Sequence, residues 1–355
     1  MISCPLILSL FALSVEQDYR WVDAHELIVE GQGWENLESP FDRLPSKSKG
    51  VVRDPVWRLS RDSSGIAVRF STDSSSIGCR WALIDSSLAL PHMPATGVSG
   101  VDLYVRDDEG EWRWLACPRP NNQNMTATLI SGLPVGSREF MLYLPLYNGV
   151  SSLEIGVEKD ATLRPGSERP KGKTRPLVFY GTSITQGGCA SRPGMTHVAL
   201  LGRKMDIPVI NLGFSGNGTM DISMADLLVE IDAEIYIIDC LPNMNGNEVR
   251  DRVVPFVERI REKRPRVPIL LVEDRTFSNS FLRPKSQNRH KSSRAALREG
   301  FSKLSRDGVE NLYYLEGKEL LLNEDTVDGS HPTDLGFVRQ ASVMRKILKK
   351  ILVSK

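Results

Sequence analysis

From residue 177 onward, short apolar runs return at intervals that leave room for one helix between successive runs. No other feature of the chain restricts its fold so tightly. The runs are 177–180, 209–212, 235–240, 269–272 and 312–315. Amphipathic stretches alternate with them. Within 249–263, Val253, Val254, Val257 and Ile260 share one face, and within 335–352 so do Phe337, Ala341, Met344, Ile347, Leu348 and Ile351. Strands this uniformly apolar are buried on both faces, and strand–helix alternation returns each strand parallel to its neighbour. The expectation over 177–355 is an α/β domain with a parallel sheet covered by helices on both sides. Ligands of such sheets bind beyond the carboxyl ends of the strands, so the segments that follow the apolar runs are where chemistry is sought.

Before residue 161 the period changes to that of half-buried strands. Three hairpins are expected: 66–70 with 77–81 around 73–76, 101–105 with 112–115 around 107–111, and 140–144 with 153–157 around Asn148-Gly149. Short alternating strands at this spacing predict an antiparallel, jelly-roll-like β-sandwich over 18–163. Residues 161–176 (ATLRPGSERPKGKTRP) lack apolar periodicity and are rich in Pro, Gly, Lys and Arg. They are read as an interdomain linker, centred on 164–176, with solvated cations. With 355 residues, 41% of them hydrophobic, the chain has material for a core in each half. A formal net charge of +1 provides no global field for nucleic acid or an anionic membrane.

The run Pro5-Leu6-Ile7-Leu8-Ser9-Leu10-Phe11-Ala12-Leu13 is uncharged, and the polar residues Glu16-Gln17-Asp18 follow soon after. It resembles the core of a secretory signal, so 1–15 is expected to be a signal peptide and the mature chain to be secreted or periplasmic. No basic residue precedes Pro5, and a buried first strand is the competing reading. The run is too short to span a bilayer. Of five cysteines, four follow this segment: Cys79, Cys117, Cys189 and Cys240. No CxxC pair or Cys/His spacing offers a zinc site, and neither metal nor organic cofactor is expected. Cys189 and Cys240 both follow apolar runs, and a disulfide bracing the loops there is weighed against free buried thiols.

Four segments after the apolar runs carry useful side chains. Gly181-Thr182-Ser183-Ile184-Thr185-Gln186-Gly187-Gly188 sets a serine at a strand tip, although Thr185 stands where a G-x-S-x-G elbow has its second glycine. Asn211-Leu212-Gly213-Phe214-Ser215-Gly216-Asn217-Gly218 lets backbone N–H groups approach a ligand closely. Leu241-Pro242-Asn243 brings an amide side chain. Asp328-Gly329-Ser330-His331 places an aspartate three residues before a histidine. A serine hydroxyl needs a base to take its proton, and a carboxylate can orient that base. Each segment alone also reads as an ordinary turn, cap or loop.

Jointly, in order and spacing, the four segments resemble the SGNH (GDSL-type) hydrolase superfamily over 175–355. Tyr180 to Gly194, Gly100-Val101-Asp102-Leu103-Tyr104 and Leu144-Pro145-Leu146-Tyr147-Asn148-Gly149-Val150 are similar to a two-domain branch with an N-terminal GxDLY β-domain. The resemblance implies a flavodoxin-like three-layer fold behind the sandwich. It implies Ser183 as nucleophile, His331 and Asp328 as the rest of the triad, and Ser183, Gly216 and Asn243 as the oxyanion hole. Thr182 departs from the usual GDS aspartate, and Leu241-Pro242-Asn243 from the usual glycine-rich block. The implied activity is a serine esterase removing short acyl groups, acetyl foremost, from carbohydrate. A lipid or thioester hydrolase and a glycan-binding protein without turnover stand as alternatives. Arg192, after the nucleophile loop, is a candidate substrate contact or a salt-bridge partner. Trp57, Trp81, Trp112 and Trp114 are candidates for a sugar site, with core packing the competing role.

Overall fold

The computed structural model describes residues 18–353, and the leader-like run 5–13 lies outside them. The N-terminal half supplies β1 (Tyr19–Asp23), β2 (Ile28–Glu30), α1 (Asp54–Leu59), β3 (Ala67–Thr72), β4 (Ile77–Leu83) and α2 (Ala95–Val98). There follow β5 (Asp102–Arg106), β6 (Trp112–Ala116), β7 (Asn124–Ile130), β8 (Arg138–Tyr143), β9 (Val150–Glu158) and β10 (Leu163–Pro165). One sheet runs β1-β9-β4-β7. The other runs β10-β3-β8-β5-β6, with β2 also on β3. Val68 and Phe70 from one sheet meet Cys79, Trp81, Leu153 and Ile155 from the other in a common core. This is the expected antiparallel sandwich.

Only one of the three expected hairpins forms, β5 with β6, where Tyr104 lies opposite Trp114. β3 pairs with β8 and β4 with β9, so 73–76 and the stretch between β8 and β9 carry the chain across from one sheet to the other. Alternation reports which face of a strand is buried but not which strand lies beside it. The serines decide the first crossing. Ser74 Oγ donates to the Ser76 carbonyl (2.6 Å), and Glu158 accepts from Ser75 N (2.8 Å), so the arch closes on side chains rather than on a two-residue ladder. The connector also differs from expectation. Its β10 strand pairs with β3, and Arg169 is nearly buried between Glu30 and Asp206. That cation is an internal clamp, not a solvated charge.

The C-terminal half contains β11 (Leu177–Gly181), α3 (Ser183–Gln186), α4 (His197–Met205), β12 (Val209–Gly213), α5 (Ile222–Leu228) and β13 (Ile235–Asp239). It ends with α6 (Gly246–Lys263), β14 (Ile269–Val272), α7 (Pro284–Arg306), β15 (Leu312–Leu315) and α8 (Asp334–Val353). The strands pair in parallel in the order β12-β11-β13-β14-β15, the flavodoxin-like order. Successive residues serve opposite faces. Val178, Tyr180, Tyr236 and Ile238 pack with α5, α6 and α7, whereas Leu177, Phe179, Ile235 and Ile237 pack with α4 and α8. The long α7 is not evident as an amphipathic pattern, because much of its buried stripe is small or polar: Ser293, Ala296 and Gly300 beside Leu297 and Leu304. A Cβ on Gly300 would come within 2.4 Å of Val253 Cγ1, so the glycine sets how closely α7 approaches α6.

The same alternation excludes the disulfide. Cys240 packs on the α6 face and Cys189 on the α4 face, and both are free thiols. The two halves nevertheless share one interior. Leu44, Val52 and Val56 are buried against the hydrolase sheet. Arg43, fully buried, donates to the carbonyls of Asn211 (3.1 Å), Gly213 (2.6 Å) and Asp62 (2.7 Å). Burial lowers its pKa to about 10. Among the described residues, no helix is long and apolar enough to cross a membrane.

Candidate active site

β11 ends at Gly181, and the chain turns at once into the short helix α3. Thr182 is its N-cap, with Oγ1 accepting from Ile184 N at 3.3 Å. The hydroxyl thus performs the capping at the position where the resemblance implies an aspartate. Ser183 is the first residue of the helix, so its own N–H has no partner within the helix. Its exposure is 7%.

The loop before α8 delivers the histidine to this serine. Ser183 Oγ and His331 Nε2 are 2.8 Å apart, and His331 Nδ1 and Asp328 Oδ2 are 2.7 Å apart. Asp328 Oδ1 also accepts from the N–H groups of Ser330 (3.0 Å) and His331 (2.8 Å). The carboxylate therefore fixes the tautomer. Nδ1 carries the proton, and the Nε2 lone pair meets the serine hydroxyl. Burial disfavours the charge on Asp328, but these N–H donors outweigh it and hold the carboxyl below the ordinary aspartate range.

Two further loops close on the serine. Gly216 has φ +70°, the left-handed region that glycine adopts without strain, and no atom lies within 4 Å of where a Cβ would stand. Ser215 N donates to Gln186 Oε1 (2.9 Å), which ties this loop to the end of α3. Asn243 Oδ1 accepts from Gly218 N (3.2 Å), so Nδ2 is the amide's outward donor. The predicted segments 181–188, 211–218, 241–243 and 328–331 are thus brought to one edge of the sheet.

Arg192 is placed elsewhere. Its Nη1 donates to buried Asp102 (2.8 Å) and to the Tyr104 hydroxyl, and its guanidinium lies 5.0 Å from the centre of the Trp114 ring. Asp102 also accepts from Gly194 N (2.8 Å) and Trp114 Nε1 (2.9 Å). The arginine is the ion-pair partner of Asp102, the second of the two roles expected for it, and the Gly-Val-Asp-Leu-Tyr motif holds the loop after Ser183 to the sandwich. Of the tryptophans considered for a sugar site, Trp81 is buried and Trp57 packs against the hydrolase core. Trp112 lies under Arg106, and only Trp114 is mostly open to solvent.

Several site neighbours were not singled out from sequence. Tyr147 donates its hydroxyl to the Ser183 carbonyl (3.3 Å). Gln186 Nε2 donates to Asp62 Oδ2 (2.8 Å) and to the Leu146 carbonyl (3.2 Å). Asp334, three residues after the histidine, accepts from Ser191 N (3.0 Å) and from its hydroxyl. Sequence signals exist for Tyr147, in the Leu-Pro-Leu-Tyr-Asn-Gly-Val block, and for Gln186, in the serine segment, but not for Asp62 or Asp334.

A family model described as the GDSL-like Lipase/Acylhydrolase family matches residues 174–349, and one for the N-terminus of SGNH-hydrolase-type esterases, GxDLY, matches 19–163. A solved structure described as a GDSL-like lipase from Bacteroides ovatus is 35% identical, with TM-score 0.89, over 94% of this chain and 98% of its own. Two more distant structures share the fold. A salicylyl acyltransferase from a tetracycline biosynthetic pathway is 18% identical, with TM-score 0.74, over 94% and 97% of the two chains. An acetyl xylan esterase from the rumen bacterium Butyrivibrio proteoclasticus is 12% identical, with TM-score 0.59, over 94% and 98%. No curated protein matches the chain. With both halves matched and a relative this similar along its whole length, the chain belongs to the GDSL-like lipase/acylhydrolase family, in the branch with an N-terminal GxDLY domain, and is an ester hydrolase.

Proposed function

We propose that Ser183, His331 and Asp328 act as a Ser-His-Asp triad that hydrolyses short acyl esters, acetyl foremost, on carbohydrate. One observation carries the reading: a continuous relay from Ser183 Oγ to His331 Nε2 (2.8 Å) and from His331 Nδ1 to Asp328 Oδ2 (2.7 Å). Ser183 Oγ attacks the ester carbonyl carbon while its proton passes to Nε2, and Asp328 stabilises the imidazolium so formed. The carbonyl oxygen becomes an oxyanion that accepts from the N–H groups of Ser183 and Gly216 and from Asn243 Nδ2. Each such donor is worth about 10²–10³ in turnover. Collapse breaks the bond to the alcohol, which takes the proton from Nε2. Water then repeats the sequence on the acyl-serine and releases the acid.

The preference for an acetylated sugar is supported by the fold shared with an acetyl xylan esterase. Its test is release of acid from methyl acetate, methyl butyrate, methyl octanoate and acetylated xylan. Rates should fall with acyl length, and acetylated xylan should release acetate. A maximum at octanoate would overturn the short-acyl reading in favour of a lipid hydrolase. Turnover surviving in Ser183→Ala would overturn the triad itself.

A further inference from the structure

We propose that His92, carried by the N-terminal domain, recognises the alcohol half of the ester, and that this alcohol is a polyol. The proposal rests on the triad reading above. Leu90 and Met93 exchange both backbone hydrogen bonds, each 3.0 Å, and close a tight turn with Pro91 and His92 at its tip. Proline restricts the backbone of that tip. The turn is anchored from below. Met93 is 2% exposed and belongs to the same core as Ile184, Cys189 and Ala190, which flank the nucleophile. Soon after it, Thr96 Oγ1 donates to the Ser191 carbonyl (2.7 Å). The turn is therefore tied by packing and a hydrogen bond to the loop that follows Ser183.

The His92 ring is exposed, and its centre lies 5.9 Å from that of His331 at an interplanar angle of 55°. Among the described residues its ring nitrogens have no hydrogen-bond partner. An imidazole that fills no core and bonds no neighbour, held rigidly beside the catalytic base, is available to a ligand. Chemistry decides which part of the ligand it meets. His331 returns its proton to the departing alcohol, so that oxygen lies by Nε2 and the rest of the alcohol extends past the imidazole. The acyl oxygen faces instead the donors of Ser183, Gly216 and Asn243. A group beside His331 is thus on the alcohol side. An imidazole supplies one donor and one acceptor, which suits neighbouring hydroxyls, and a flat face that packs on sugar C–H groups. The two domains would then divide the ester, the hydrolase half taking the acyl group and the sandwich reading the alcohol.

The test compares kcat/KM for methyl acetate, methyl butyrate and xylose tetraacetate in the full-length wild type, His92→Ala and His92→Gln. His92→Ala should lower the rate on xylose tetraacetate about tenfold more than on methyl acetate, chiefly through KM, as loss of a hydrogen bond does. His92→Gln, which keeps a donor and an acceptor, should recover most of that difference. The ratio of methyl butyrate to methyl acetate should not move. Equal losses on all three esters, or a change in the acyl ratio, would overturn the proposal and make His92 a support for His331 instead. Labelling of the same wild-type preparation with a fluorophosphonate separates the two levels. Absence of label at Ser183 removes the triad, whereas label at Ser183 with an unaltered alcohol preference in His92→Ala removes only the role of His92.

Discussion

Ser183 is 7% exposed, and the groups that hold its helix come from elsewhere in the chain: Tyr147 on its carbonyl, and Asp62 and Leu146 on Gln186. Asp328 and His331 are held in another way. Their side chains are 44% and 24% exposed, and the bonds between them lie within residues 328–331, with Ser278 N donating to the Gly329 carbonyl (3.0 Å) from outside. The base side of the proposed triad is shaped mainly by short-range bonds. The nucleophile side is a tertiary construction, and most of its braces come from the sandwich half. That half therefore helps to hold the proposed nucleophile in place. Asp334, through Ser191, is the clasp between the two sides.

The contrast can be broken most sharply at the local end. Asp328→Asn keeps the shape but favours the wrong imidazole tautomer, and kcat should fall about 10³–10⁴-fold with little change in melting temperature. A loss below tenfold would show that the carboxylate is not what orients His331. Next in size is Asn243→Ala, which removes one oxyanion donor. It should cost about 10²–10³ in kcat with KM nearly unchanged, as initial-rate kinetics would show. Asp334→Ala unfastens the clasp without touching the reacting atoms. Its effect should be about tenfold in kcat, with a lower melting temperature, because half-buried bonds to Ser191 are lost. Were stability to fall with kcat intact, the clasp would be structural alone.

The smallest effect sharpens the tertiary end through pH. Burial raises the pKa of Asp62 to about 7. The native state therefore binds a proton there more tightly than the unfolded chain does. Stability from this site is full below about pH 4 and declines as pH rises to about 7. Asp62→Asn does not titrate, so its melting temperature relative to wild type should climb between pH 4 and 7 and then level off. A difference that is flat across that range would contradict the raised pKa of Asp62.

What was legible in the sequence follows the same division. Asp328 and His331 could be read because their spacing already encodes their hydrogen bonds. The parallel strands could be read because burial on both faces leaves unbroken apolar runs. Asp62 and Asp334 carry no such mark, and although Gln186 lies in the serine segment its partners lie in distant ones. Arg192 was ambiguous for that reason: substrate contact and ion pair look alike until Asp102 is seen beside it. The crossings at 73–76 and between β8 and β9 were hidden because alternation names a strand's buried face and not its neighbour. In α7, Ser293, Ala296 and Gly300 occupy buried positions where a hydrophobic stripe would have announced a helix.

The central claim is that the Ser183 hydroxyl is activated by His331. Stoichiometric reaction with a fluorophosphonate, followed by peptide mapping, tests it most directly. One equivalent of label should fall on Ser183, disappear in Ser183→Ala and form far more slowly in His331→Ala. Label on another residue, or labelling of Ser183 at an undiminished rate without His331, would contradict it.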